Sequence, residues 1–175
     1  MVAQIMVAQI MAARNRLAGE MGGEGRVERI EEGLRRLEMA GSMLIPSVRY
    51  RDAHGAIEWL CRVLGFEKQA VYDGPEGTVA HAQLTFGGTG MLMLGSASNA
   101  SPHPELMATP GEMGGRVTSP LYLVSAECEA LYARAVEAGA EILMELKTME
   151  YGGKAFAVKD PEGYQWSVGE YDPWG

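Results

Sequence analysis

The hydrophobic pattern changes character at about residue 44. From there, apolar positions alternate in short runs that predict strands, twice interrupted by a longer run with helical spacing. "LIPSVRY" reads as a strand. Asp52 is placed to cap "AHGAIEWLCRVLG", where Ile57, Leu60, Cys61 and Leu64 share one face and Gly65 ends the helix. "FEKQAVY", "TVAHAQLTF" and "GMLMLGS" follow as strands, joined through "DGPEG" and "GGTG". After the Ser-, Pro- and Gly-rich stretch 96–118 the order recurs. "SPLYLVS" is a strand, and Ser125 is placed to cap a helix with Cys128, Leu131, Ala135 and Ala138 inward. "AEILMELKTM", "GKAFAVK" and "YQWSVGEY" are strands, the last entered through the turn Asp160-Pro161-Glu162-Gly163.

The two halves match at a spacing of about 74, Gly65 with Gly139, Glu67 with Glu141 and Val48 with Tyr122. The expected fold is therefore α+β: tandem βαβββ modules whose two curved mixed sheets surround a cleft. The modules span 44–95 and 119–172, with 96–118 as a linker or lid. Residues 1–43 form a separate helical extension, with "MVAQI" in tandem and then "RVERIEEGLRRLEMAG", whose Val27, Ile30, Leu34 and Leu37 share a face.

Charge narrows the class of partner. The chain has 175 residues, 47% of them hydrophobic, and a formal net charge of −8. The extension is neutral, so the negative charge belongs to residues 44–175. That argues against nucleic acid and against anionic membrane surfaces, both of which need basic clusters. By charge alone the modules favour a cationic ligand. The two cysteines, Cys61 and Cys128, lie at apolar helical positions and read as free thiols, which predicts a reducing, cytoplasmic setting. No stretch has the length and apolarity of a membrane span, and the uncharged start lacks the basic segment of a secretory signal.

Strand alternation names the side chains opposite each helix. On the first sheet these are Ser47, Arg49, His81, Gln83 and Thr85, with Ala80, Ala82, Leu84 and Phe86 on the helix side. On the second they are Tyr122, Gln165 and Ser167, with Trp166 against the helix. Arg49 calls for a carboxylate partner, Glu170 or Asp160, or for an anionic ligand group. His81 is a structural histidine or an acid–base group, and Tyr122 is packing or a second acid–base group.

"VRYRDAHGAIEWLCRVLGFE", "YARAVEAGAEIL" and "VKDPEGYQWSVGEY" resemble the vicinal oxygen chelate superfamily of glyoxalase I, extradiol dioxygenases and bleomycin-resistance proteins, across residues 44–172. The resemblance implies four metal positions, one on the first and one on the fourth strand of each half. Here they fall at Ile45, Pro120, Met93 or Leu94, and Ser167, where His, Gln or Glu is usual. That set predicts no metal and no cofactor. The implied function is binding of a small organic molecule, with a homodimer expected. The alternatives are a metal-independent isomerase or lyase acting on a carbonyl compound through His81 or Tyr122, and an interaction module using the N-terminal helices.

Overall fold

The computed structural model describes residues 41–99 and 107–174. The expected N-terminal helices and the middle of the linker, with His103, lie outside the described residues. The first module runs β1 (Ser47–Tyr50), α1 (Ala53–Trp59), β2 (Glu67–Asp73), β3 (Val79–Phe86) and β4 (Gly90–Ser96). The second runs β5 (Leu121–Val124), α2 (Cys128–Glu137), β6 (Ile142–Thr148), β7 (Lys154–Lys159) and β8 (Gln165–Gly169). Each forms a four-stranded mixed sheet, in order β1-β4-β3-β2 and β5-β8-β7-β6. In each, the first and fourth strands are parallel and the other pairings antiparallel.

Local sequence explains the helix ends. The Gly55 amide donates to Asp52 Oδ1 at 2.9 Å, the expected cap. Gly65 ends the first helix in the left-handed region at φ 78°, where a Cβ would be strained. α2 begins later than expected, at Cys128, and Ser125 Oγ accepts from the Glu127 amide at 3.1 Å instead of capping a longer helix.

The repeat is not strictly regular. After α1 the first helix makes one π-helical turn, Leu60–Leu64. The stretch from cap to terminating glycine is thus one residue longer in the first module (Asp52 to Gly65) than in the second (Glu127 to Gly139). A π turn absorbs one extra residue without ending a helix. Upstream of it the matching positions shift by one. Ser47, opposite Met93, corresponds to Tyr122, opposite Ser167. The match of Val48 with Tyr122 is therefore corrected: Val48 is core, whereas Tyr122 is on the other face. A second correction falls on β3. A register shift between Tyr72 and Asp73 puts Val79 on the helix side, and Ala80 is exposed.

Both helices feed one core, which contains Ile57, Leu60, Leu64, Leu84 and Leu94 with Leu131, Phe156, Trp166 and Val168. A Cβ at Gly65 would lie 3.5 Å from Arg134 Nη2 and 3.7 Å from Leu131 Cδ2, so the end of the first helix abuts α2. The modules also meet through the turn of residues 160–164. Tyr50 Oη, from β1, donates to Asp160 Oδ2 at 2.6 Å, and Trp166 Nε1 donates to the same oxygen at 3.1 Å. The Glu162 and Tyr164 amides fill Oδ1, at 3.0 and 2.9 Å.

Burial, and then the Asp160 carboxylate, push the Tyr50 phenol well above its ordinary value of 10.0. A raised folded-state value stabilises the fold below the unfolded value and is lost as pH rises through the folded one. Melting temperature is therefore expected to fall above about pH 10, and Tyr50→Phe to flatten that fall. Melting curves from about pH 8 to about pH 11 check this; parallel wild-type and variant profiles would refute it.

Candidate functional site: the open sheet faces and the edge of β1

Because Val48, Tyr50, Ala82 and Leu84 turn toward the helix, their neighbours turn the other way. On this open face Ser47 lies opposite Met93, and Met93 opposite Gln83. Arg49 lies opposite Gly95, Thr85 opposite Met91, and His81 opposite Tyr72. The structure thus brings Ser47, Arg49, His81, Gln83 and Thr85 onto one face of one sheet. His81 Nε2 and Gln83 Nε2 are 3.3 Å apart. With the amide as donor, the neutral imidazole carries its proton on Nδ1. His81 also stacks on Tyr72, with ring centroids 6.2 Å apart.

Tyr122, Gln165 and Ser167 lie on the other sheet, with Tyr122 opposite Ser167 and Gln165 opposite Lys159. Tyr122 crosses Gly169, where a Cβ would come within 2.4 Å of its hydroxyl oxygen. That hydroxyl donates to the Tyr171 carbonyl at 3.1 Å. Desolvation, with Tyr151, Cys128 and Tyr171 nearby, pushes the phenol above its ordinary value. It is a held hydrogen-bond donor and a weak candidate for a base. This face remains open, with Tyr122 44% and Val124 40% exposed.

Arg49 has neither of the carboxylate partners expected for it. Asp160 is filled by its four donors, and Glu170 accepts from the Lys154 amide at 2.8 Å. The guanidinium lies over Gly95, where a Cβ would come within 2.4 Å of Nη1. Its Nε is buried with no hydrogen-bond partner among the described residues. The backbone of Arg49 is held from the second module: the Tyr164 hydroxyl donates to its carbonyl at 2.9 Å and accepts from its amide at 3.3 Å. Glu162 accepts from the amides of Arg51 and Asp52 at 2.8 and 2.7 Å.

With this geometry in place, residues 42–168 match the family model of the Glyoxalase/Bleomycin resistance protein/Dioxygenase superfamily. The chain belongs to that superfamily. TioX from Micromonospora sp. ML1 is 26% identical, with a TM-score of 0.60 over 75% of this chain and 100% of that one. A superfamily member from Sphaerobacter thermophilus is 21% identical, with a TM-score of 0.56 over 76% and 99%, which shows the fold. An uncharacterized protein of Mycobacterium bovis is 26% identical over 127 residues, 73% of this chain and 82% of that protein.

The superfamily's metal can be tested against the residues present. Of the two fourth-strand positions, Leu94 is in the core and Met93 is on the open face. The donor set is then Ile45, Met93, Pro120 and Ser167, without an imidazole or carboxylate, and it does not fit a hard or borderline divalent ion. Among the described residues no three His, Cys, Asp or Glu side chains group as ligands. No described helix is long and apolar enough to cross a membrane.

Sequence reasoning named Asp160 only as a possible partner of Arg49, not of Tyr50 and Trp166, and missed Glu162, Tyr164 and Gly95. Turn chemistry explained why the chain bends at Asp160 but gave no sign that Glu162 and Tyr164 reach the other module. The closest available signal was the run of three polar or amphipathic residues, Asp160, Glu162 and Tyr164, around one tight turn.

Proposed function

We propose that this superfamily member binds a small organic molecule on the open faces of its βαβββ modules, without a metal, as a homodimer. The observation that carries the reading is the half-exposed polar face Ser47, Arg49, His81, Gln83 and Thr85, set on a sheet whose other side is fixed by core packing. Polar groups fixed on a rigid sheet can orient a ligand, and neighbouring apolar surface adds affinity. The homodimer is supported by Tyr122 and Val124 on the second sheet, an exposed apolar pair that a second copy would cover. The two free cysteines fit a reducing cytoplasmic setting.

A ligand that binds the folded state raises its melting temperature. A screen of small metabolites and antibiotics is expected to give at least one saturable shift that Gln83→Ala reduces. A full screen without any shift would refute the reading. The paired His81 and Gln83 nitrogens support a second reading, a metal-independent isomerase or lyase with His81 as the acid–base group. His81→Ala separates the two. Loss of turnover with binding retained identifies an enzyme, and loss of binding without any turnover in the wild type identifies a binding protein.

A further inference from the structure

Beside β1 the segment 107–119 lines a cleft of about 530 Å³, a size that holds drug-sized molecules. Its walls are mostly apolar, with Met107, Met113, Val117 and the ring of Tyr164, and two cations, Arg49 and Arg116, line it. Arg49 also lines a smaller adjoining cleft of about 230 Å³ beside Thr109 and Glu112.

We infer that this cleft takes an apolar molecule bearing one anionic group, with the anion held by Arg49 and Arg116. The inference rests on the small-molecule reading above and adds the ligand's class and a position at the edge of β1. Three observations carry it. Arg49 lines the cleft, and its buried Nε has no acceptor among the described residues, so the positive charge of the guanidinium is left without a partner there. Gly95 leaves the space in which the guanidinium lies, so the side chain is placed rather than free. The nearby carboxylates are engaged. Glu162 faces Arg51 at 3.6 Å and accepts from two amides, and Glu112 accepts from the Thr109 amide and hydroxyl at 2.7 and 2.8 Å. Net charge favours a cation, but at hydrogen-bond range two local guanidinium groups outweigh a distributed charge that salt screens.

The test uses two fluorescent probes with closely related bodies, anilinonaphthalene sulfonate and uncharged phenylnaphthylamine, titrated into the full-length protein. The sulfonate is expected to bind at least about tenfold more tightly than the amine. Arg49→Met should remove about tenfold of the sulfonate affinity and change the amine by less than about twofold, and Arg116→Gln should remove about threefold. Gly95→Ala, which displaces the guanidinium, should act like a weaker Arg49→Met, and with Arg116→Gln it keeps the test open if Arg49→Met does not fold. Equal affinity for the two probes, or a sulfonate affinity unchanged in Arg116→Gln and Gly95→Ala, overturns the inference. Sulfonate binding that falls in His81→Ala but not in Arg116→Gln also overturns it, while leaving the open-face reading intact. Arginine-dependent binding untouched by His81→Ala supports this cleft, whether or not the metabolite screen finds an open-face ligand.

Discussion

Asp160→Ala is expected to lower the unfolding free energy by about 3–5 kcal/mol, because it strands buried donors that nothing else satisfies. The carboxylate is 5% exposed and accepts four hydrogen bonds, two at each oxygen. Only an ionised carboxylate offers four acceptor sites, so its occupancy is complete. Asparagine is no remedy. Its amide nitrogen would face two donors, and Asp160→Asn should retain more than about half of the alanine loss. Burial pushes the Asp160 carboxyl above its ordinary value of 3.8, and its four donors pull the other way. For a chain of this size the loss corresponds to about 6–20 °C in melting temperature. Urea unfolding checks the magnitude, and an asparagine variant within about 1 kcal/mol of wild type would refute the account.

The loss has a location as well as a size. Tyr50 belongs to the first module and Trp166 to the second, so Asp160 ties the two together. The same turn covers the outer edge of β1. It reaches the Arg49 amide through Tyr164 and the Arg51 and Asp52 amides through Glu162. An uncovered strand edge exposes unpaired backbone groups. In Asp160→Ala, hydrogen exchange at Arg49, Arg51 and Asp52 should accelerate more than exchange at β3, whose partners lie within its own sheet.

The contrast between β1 and the turn also shows what can be read from the sequence. Alternation placed Ser47, Arg49, His81, Gln83 and Thr85 on one face, because core packing of Val48, Tyr50, Ala82 and Leu84 leaves no other choice. The helix cap at Asp52 and the stop at Gly65 follow from side-chain and backbone chemistry within a few residues. The shift by one at Tyr122 was not legible, since a π turn looks like any other helical turn in an apolar pattern. The reach of Asp160 across 110 residues to Tyr50 was not legible either. Periodicity reports which face a residue takes, and says nothing of which distant partner meets it there.

Trp166→Ala is expected to be as damaging as any single truncation in the second module, at about 3–5 kcal/mol. The indole is 1% exposed and meets Phe66 of the first module edge-on, with ring centroids 5.6 Å apart. Its Nε1 is also one of Asp160's four donors. Truncation therefore leaves a cavity between the modules and removes a hydrogen bond from a buried carboxylate. Trp166→Phe separates the two effects. It keeps most of the ring packing and loses the donor, for an expected cost of about 1–2 kcal/mol. Since Trp166 and Asp160 share one network, their losses should not add. The double variant Trp166→Phe/Asp160→Asn is expected to fall short of the sum of the single losses by about 0.5–1.5 kcal/mol. Chemical denaturation of the four proteins gives that coupling directly. Strict additivity would mean that Trp166 acts by packing alone, and that its hydrogen bond to Asp160 adds nothing to the network.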